Sequence, residues 1–232
     1  MCIRDSSYPS FAQKVSDLQP ISELNNVHPA RMFLENRKIP QEKLSCLFYT
    51  DKFKKWINTK KPDAFNSLKN DQPRVIIPLI DEKGVWFGVQ GRSLAPKSKM
   101  RYVTILFDED KTKLYGLDRI KTNDTIYIVE GPFDSLFLDN SVAMAGSSVD
   151  CRSFGWSDYI WVYDNEPRNR EIVQRISKSL DRGDKVIIWP SEIKQKDIND
   201  MILAGHNVMS VLECNTYSDL EGTLKLTNWK KT

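Results

Sequence analysis

The spacing of apolar residues changes near residue 123, where a regular alternation of predicted strands and helices begins. Short β-branched and aromatic runs beyond this point predict strands at residues 125–129, 142–145, 159–163 and 185–189. Helical spacing and helix-start signals predict helices at residues 132–138, 168–180 and 197–203. Such an alternation predicts an α/β unit, a mostly parallel sheet with helices on both faces.

The residues before this point predict an α+β unit instead. Pro29 opens a predicted helix at residues 30–37, and apolar spacing predicts a second helix from Gln41. Residues 52–61 mix apolar side chains with lysines, which fits either an amphipathic helix or a basic loop. Turn signals between apolar runs predict antiparallel strands at residues 75–80, 85–90 and 101–107.

These patterns divide the chain into a predicted order of segments. Residues 1–22 are polar and proline-broken, and we interpret them as a linker or a fragment end. The basic α+β subdomain is then expected at residues 23–122 and the α/β domain at residues 123–215. Residues 216–232 are expected to form a C-terminal tail.

The formal charge of +3 conceals two oppositely charged halves. Residues 1–122 hold 22 Lys and Arg against 14 Asp and Glu, a balance of +8, and residues 123–232 hold 12 against 17, a balance of −5. A nucleic-acid-binding half joined to a metal-binding half would have this distribution. Chance variation between two solvated surfaces is the alternative.

Composition excludes several other classes of protein. No apolar run approaches the roughly 20 residues of a membrane helix, and the N-terminal residues do not resemble a signal peptide. The four cysteines are scattered without a CxxC pair, so we expect free thiols in a reducing cytoplasm and no zinc site in this chain.

Acidic residues follow three of the predicted strands of the second half. Glu130 follows the first strand, Asp164 and Glu166 follow a later strand, and Asp197 and Asp200 lie beyond the last one. Because the carboxyl ends of parallel strands meet at one edge of a sheet, these acids are expected to converge there. Carboxylate oxygens suit Mg²⁺, with Mn²⁺ as an alternative, so the pattern predicts a divalent-metal site for phosphoryl transfer.

Two residues just after Glu130 extend the predicted site. Gly131 would let the backbone approach a phosphate, which free N–H groups of the helix from Pro132 could bind. Asp134 either faces the acidic cluster as a further metal ligand or caps this helix.

The Glu130-Gly131 pair, the Asp164-Asn165-Glu166 triplet and the acids from Asp197 together resemble the TOPRIM fold. This fold is shared by bacterial-type primases, type IA and type II topoisomerases and some nucleases. The sequence departs from the family pattern at Glu166, where aspartate is usual, and either Asn199 or Asp200 is the other contributing position of the last element. The resemblance implies that Glu130, Asp164, Glu166 and Asp197 are the catalytic metal ligands.

The first half narrows the resemblance to DnaG-type DNA primases. Three segments are similar to their catalytic core: FGVQGR at 87–92, KMRY at 99–102 and LYGL at 114–117. Residues 163–171 and 189–201 resemble primases of tailed bacteriophages most, and the likeness covers about residues 25–215. It implies a DNA-directed RNA polymerase that makes short primers on single-stranded DNA from ribonucleoside triphosphates.

The resemblance also implies partners for the chain. A replicative helicase is expected as one partner. The family's N-terminal zinc module would need a cysteine pair, which this chain does not have. Either a separately encoded zinc module is a second partner, or the chain is truncated from a longer one. The helicase-binding domain of bacterial primases is expected to be absent, because too few residues follow Asp219. No membrane partner is expected.

Basic residues outside the acidic elements are assigned to nucleic acid and nucleotide. Arg92, Lys97, Lys99 and Arg101 would bind template phosphates or the incoming triphosphate, unless the lysine turn is merely solvated. Arg168 and Arg170 would contact nucleotide phosphate, with surface solubility as the alternative.

Other functions remain open at the level of sequence. A TOPRIM nuclease would use the same acids, and a replisome adaptor would need no catalysis. A topoisomerase would need a separate large domain, for which the chain is too short.

Overall fold

A computed structural model describes residues 17–146, 149 and 151–231. By contact density the chain divides into two compact units. The first comprises the described residues up to Asn36 together with Gln41–Lys113, and the second comprises Arg37–Pro40 and the described residues from Leu114 onward. Most of the predicted linker, residues 1–16, lies outside the described residues. None of the helices in the described ranges has the length and apolar character that a bilayer crossing requires.

The first unit is built on an antiparallel sheet. Its strands, in their order across the sheet, are β1 (Gln19–Pro20), β2 (Phe48–Thr50), β3 (Arg74–Ile80), β4 (Trp86–Ser93) and β5 (Tyr102–Leu106). The described residues of this unit also form two α-helices, α1 (Pro29–Glu35) and α2 (Phe53–Lys60). The predicted antiparallel strands of this half are therefore confirmed, and the order is a meander from β2 to β5.

The core of the first unit forms where α2 packs on the sheet. Phe53, Trp56 and Ile57 are buried on one side of the helix. They belong to the same apolar cluster as Ile76 and Trp86. The lysine-rich segment is thus an amphipathic helix, with its lysines on the face away from the core. The helix predicted from Gln41 differs, since Gln41–Cys46 is a 3₁₀-helix, and the strands Gln19–Pro20 and Phe48–Thr50 were not predicted.

The second unit is built on a six-stranded sheet. Its strands are β6 (Leu114–Tyr115), β7 (Ile126–Val129), β8 (Ser141–Met144), β9 (Tyr159–Val162), β10 (Lys185–Ile187) and β11 (Thr216–Tyr217). They lie in the order β11-β10-β9-β7-β8-β6, with parallel pairing from β10 to β8 and an antiparallel strand at each edge. The prediction of a mostly parallel sheet is confirmed.

Five α-helices belong to the described part of this unit. They are α3 (Pro132–Ser135), α4 (Arg170–Asp181), α5 (Ile198–Leu203), α6 (Val208–Cys214) and α7 (Asp219–Trp229). The helix predicted at residues 132–138 is only one turn long. The Ser141 hydroxyl donates to the carbonyl oxygens of Ser135 and Leu138, and so satisfies groups that a continuing helix would use.

The residues predicted to be a C-terminal tail are instead part of the folded second unit. β11 pairs with β10. α7 packs against α4, where a Cβ added at Gly222 would come within 2.4 Å of a Leu180 methyl carbon. The glycine therefore lets the two helices approach closely.

Candidate active site

Four carboxylates line one small recess at the carboxyl ends of β7 and β9. Glu130 directly follows β7, and Asp164 lies two residues after the end of β9. Asp134 lies in α3, and Asp197 is the N-cap of α5. The parallel register of β7 and β9 brings the first two together, as the sequence predicted from strand ends alone.

Glu130 is held by two hydrogen bonds from different elements. Its Oε2 accepts from the backbone N–H of Asp164 at 3.2 Å. Its Oε1 accepts from Nη1 of Arg175, in α4, at 2.8 Å, and Arg175 also pairs with Glu171. Burial raises the pKa of Glu130 above its ordinary value, although both hydrogen-bond donors oppose the shift.

Lys196 bridges the two acids of the Asp-Asn-Glu loop. Its Nζ lies 3.5 Å from Oδ2 of Asp164 and 3.4 Å from Oε1 of Glu166. Burial, and then the negative charges of Glu130 and Asp134, raise the pKa of Asp164 to about 8, even though Lys196 opposes this shift. The pKa of Lys196 is raised in turn, because attraction to both carboxylates outweighs its own partial burial.

Asp134 lines the recess. The alternative interpretation, that its side chain caps its own helix, is wrong. The N-cap of α3 is Gly131, and Oδ1 of Asp134 accepts instead from the backbone N–H of Asn199 at 2.9 Å. Burial and the nearby charge of Asp197 raise its pKa to about 7. A Cβ at Gly131 would lie 2.3 Å from Oδ2 of Asp134, so the glycine provides room for this carboxyl.

The last acidic element divides its residues between different tasks. Asp197 caps α5 by accepting from the backbone N–H of Asp200 at 2.8 Å, and burial raises its pKa. Asn199 is buried, and its amide exchanges hydrogen bonds with Arg37: Nη1 to Oδ1 at 2.6 Å, and Nδ2 to the carbonyl oxygen at 2.7 Å. The Asn199 side chain is therefore occupied by Arg37, whereas Asp200 is exposed.

The recess has the donor chemistry of a divalent-cation site without a preformed set of ligands. Within the described ranges, no group of three or more His, Cys, Asp or Glu side chains is arranged to hold a metal ion. The acids are oriented instead toward Arg175, Lys196 and backbone N–H groups. Their oxygens are nevertheless the ligands that Mg²⁺ prefers, and mutual repulsion helps raise the pKa of Asp164, so a dication fits the charge of the recess.

The predicted nucleic-acid-binding residues fall into both units. Arg92 lies on β4, where its guanidinium stacks on the rings of Phe33 at 5.6 Å and Tyr102 at 4.8 Å. Lys97 and Lys99 are exposed in the β4–β5 loop, at whose end Arg101 is also exposed. In the second unit, Arg168 and Arg170 are exposed at the start of α4. Their binding roles stay predictions.

Arg74, which the sequence did not single out, fixes the loop that carries these lysines. Its buried guanidinium donates to the carbonyl oxygens of Gly91 at 2.8 Å, Met100 at 3.1 Å and Arg101 at 3.2 Å. It also stacks on the ring of Phe53 at 5.2 Å. Both ends of the loop are thereby held to β3, and the lysines project from a braced turn.

Sequence reasoning also missed Arg175, Lys196 and Arg37, the cations that contact the recess or its supports. Lys196 had a usable signal, because it directly precedes Asp197 in a segment already assigned to the site. Arg175 had a weaker one, since it follows Glu171 by one helical turn on α4. Arg37 had none, because its contact with Asn199 joins residues 162 positions apart.

The chain is similar in sequence to a known DNA primase. No protein-family model matches the chain. The DNA primase of enterobacteria phage T4 is 32% identical over an aligned length of 217 residues, and the match covers 91% of this chain and 63% of that protein. The chain therefore spans less than two thirds of the length of this relative.

Solved structures of primase catalytic cores have a backbone fold similar to that of this chain. A structure of the DnaG catalytic core matches 94% of this chain with a TM-score of 0.66 at 16% identity, and the match covers 89% of that structure. The chain has the fold of the DnaG primase catalytic core. The Escherichia coli primase catalytic core matches 93% of this chain and 79% of its own, with a TM-score of 0.63 and 18% identity. A DnaG catalytic domain bound to single-stranded DNA matches 94% and 81%, with a TM-score of 0.64 and 17% identity.

The resemblance to DnaG-type and phage primases that the sequence motifs predicted is thus confirmed. In this DnaG fold, the recess lies in the second unit, and Glu130, Asp134, Asp164 and Asp197 all belong to that unit.

Proposed function

We propose that this chain is the catalytic part of a DNA primase, a DNA-directed RNA polymerase that makes short RNA primers on single-stranded DNA. The observation that carries the proposal is the single recess lined by Glu130, Asp134, Asp164 and Asp197 in a chain with the DnaG fold. Similarity to the phage T4 DNA primase supports it, as does the single-stranded DNA bound to one DnaG structure of the same fold.

The reaction joins ribonucleotides, with a 3′-hydroxyl attacking the α-phosphate of a ribonucleoside triphosphate while pyrophosphate leaves. Bound Mg²⁺, or Mn²⁺ in its place, would lower the pKa of the attacking hydroxyl and neutralise charge on the phosphoryl group. Glu130, Asp164 and Asp197 would hold it, with Glu166 completing the acidic pair and Asp134 and Asp200 at its margin.

The cations of the recess would prepare these carboxylates. Arg175 orients Glu130 from α4, and the backbone N–H of Asn199 orients Asp134 from α5. Lys196 lies where it offsets the repulsion between Asp164 and Glu166. When these acids hold a dication, Lys196 would be free to turn toward a phosphate of the triphosphate.

Template and nucleotide would be bound largely through their phosphates. Arg92, Lys97, Lys99 and Arg101 would bind the template strand, since basic side chains supply most of the affinity for a nucleic-acid backbone. Arg168 and Arg170, just beyond the acidic pair, would contact the triphosphate. The one-turn α3 offers little helix-terminal binding, and Gly131 contributes mainly by making room for Asp134.

The proposal extends to the partners of the chain. A replicative helicase would deliver single-stranded template, and a separate zinc module would select the start site. Adding either protein to a priming reaction and measuring primer yield on templates of different sequence tests each partner.

The test of the central proposal is a priming assay with matched variants. Wild-type chain, single-stranded template, Mg²⁺ and labelled ribonucleotides should yield short RNA. Asp164→Asn should abolish it, because the amide cannot supply a carboxylate ligand. Asp158→Asn is the matched control, since Asp158 lies at the other end of the same strand and pairs there with Lys185. It should prime normally.

Other products would identify another function. Cleaved template without RNA would indicate a nuclease that uses the same acids, and neither product would indicate an adaptor. Normal priming by Asp164→Asn would refute the assignment of the recess. Glu166→Gln, tested beside it, reports whether the second acid of the loop is also required.

A further inference from the structure

Asn165, the middle residue of the Asp164-Asn165-Glu166 loop, makes three side-chain hydrogen bonds to other segments of the chain. Nδ2 of Asn165 donates to the carbonyl oxygens of Ile193 and Gln195, each at 3.0 Å. Its Oδ1 accepts from the indole N–H of Trp229 at 3.2 Å. Its backbone N–H donates to the carbonyl oxygen of Lys196 at 2.6 Å. One amide side chain thus uses both of its donors and its acceptor.

These contacts join three segments that are distant in sequence. The first is the loop with Asp164 and Glu166, the second is residues 193–196, which end beside Asp197, and the third is the end of α7. A further bond runs from the N–H of Lys231 to the carbonyl oxygen of Pro167, so the C-terminal residues contact the acidic loop at two points.

We infer that Asn165 and Trp229 are positioning residues for the acidic recess, and that α7 belongs to the catalytic unit. The inference rests on the proposed function. Asn165 fixes the distance between the loop of Asp164 and the segment that carries Lys196 and Asp197. Trp229 fixes Asn165 by occupying its acceptor. Neither side chain needs to touch substrate or metal for its loss to loosen the ligands.

The hydrogen bonds of the Asn165 side chain should matter more for the geometry of the recess than for the stability of the fold. Asn165 is half-buried, so its two donors and one acceptor would otherwise bond with water, and the net gain in folding energy is modest. The same bonds constrain two ligand-bearing segments at once. Residues that orient metal ligands from behind typically change metal affinity by 10- to 100-fold when they are removed, so the effect should appear in metal binding.

The test measures Mn²⁺ binding to the full chain by electron paramagnetic resonance, without nucleotide or DNA. Asn165→Ala should weaken Mn²⁺ binding by about 10-fold or more. Trp229→Phe keeps the aromatic packing and removes only the N–H, so its effect should be smaller, about 3-fold, because it removes one of the three side-chain bonds.

Trp56→Phe is the matched control. Trp56 is a buried residue of the first unit, and its indole N–H has no hydrogen-bond partner within the described residues. The same substitution there should leave Mn²⁺ affinity unchanged. If Trp229→Phe and Trp56→Phe shift the unfolding midpoint alike but only Trp229→Phe weakens Mn²⁺ binding, a merely structural role is excluded.

Hydrogen exchange supplies a readout that needs neither metal nor activity. In metal-free protein, Asn165→Ala and Trp229→Phe should accelerate amide exchange in the peptides covering residues 164–169 and 193–198, with Trp56→Phe as the unchanged reference. Unchanged exchange in both peptides would overturn the inference, whatever the chain catalyses.

The outcomes separate this inference from the proposed function. Normal Mn²⁺ affinity in both variants, with normal binding by the wild-type chain, would overturn the positioning role and leave the primase proposal standing. A wild-type chain that binds no Mn²⁺ would refute the proposed metal site and this inference with it. A wild-type chain that binds Mn²⁺ more tightly than both variants but makes no primer would uphold the inference and refute only the activity.

Discussion

The raised pKa of Asp164 makes a prediction about stability without metal. Its pKa is about 8 in the folded chain, against an ordinary value of 3.8. Between these values the folded state holds a proton that the unfolded state has lost, so folding is favoured at low pH and loses stability as pH rises. Burial of the Asp164 carboxyl is the main physical cause of the raised pKa, and the negative charges of Glu130 and Asp134 add to it.

The size of the effect follows from the two pKa values. For a single group with these values, linkage removes roughly 3 to 4 kcal/mol of stability between pH 5 and pH 8. Asp164→Asn cannot ionise and escapes this loss. The free energy of unfolding of the variant should therefore increase relative to that of the wild type as pH rises. At pH 8 the variant should be the more stable protein, although it is inactive.

The assay is urea unfolding in the presence of a chelator at several pH values from 5 to 8. Asp158→Asn is the control with the opposite sign, because hydrogen bonds from Lys185 and Thr125 lower the pKa of Asp158 below its ordinary 3.8. Its stabilising effect is lost only as pH falls through that lowered pKa, so the difference in unfolding free energy between this control and the wild type should stay constant from pH 5 to 8. If the difference between Asp164→Asn and the wild type is equally constant, ionisation of Asp164 does not lower the stability of the folded chain.

Three further predictions concern the same recess. Gly131→Ala would place a Cβ 2.3 Å from Oδ2 of Asp134, so priming should fall at least about 10-fold, measured beside the unfolding midpoint to separate a local shift from global unfolding. Asn199→Ala should cost about 1 to 3 kcal/mol in urea unfolding, because it removes the amide of a buried residue that exchanges two hydrogen bonds with the half-buried Arg37. Mn²⁺ affinity should fall as pH drops below 8, and more steeply below 7, because Asp164 and then Asp134 take up protons that the cation must displace; a flat titration would contradict this.

Regular periodicity accounts for what the sequence predicted well. In α4, the buried residues Ile172, Ile176 and Leu180 repeat at helical spacing, and Asn169 caps the start through its side chain. The strands β7 and β9 were equally legible, because each is a short apolar run that ends abruptly in acid. Convergence of Glu130 and Asp164 then followed from parallel pairing alone.

The last helix shows why periodicity was not enough elsewhere. α7 exposes Leu220 and Leu224, at 73% and 59% of their full surface, and buries Gly222 and Leu226. The positions of the leucines along this segment therefore predict the wrong buried face for the helix. The contact depends on a missing side chain at Gly222, which no hydrophobic pattern records.

The recess itself was predictable in its members but not in its present arrangement. From spacing, carboxylates at strand ends suggest a ready set of ligands. In the folded chain, Lys196 lies between Asp164 and Glu166, and Arg175 holds Glu130. These contacts join residues tens of positions apart, and the sequence marked the two cations only indirectly, Lys196 by its place before Asp197 and Arg175 by its helical spacing from Glu171.

Those cations also explain how so acidic a recess can exist in a folded chain. Buried like charges are costly unless they are protonated or paired, and here both remedies are present: Asp134 and Asp164 have raised pKa values, while Arg175 and Lys196 pair with Glu130 and with the acidic loop. A dication would replace the protons and compete with Lys196 for the same oxygens. The charge balance of the recess is therefore adjustable at neutral pH, and divalent metal, proton and lysine should act as alternatives at one place.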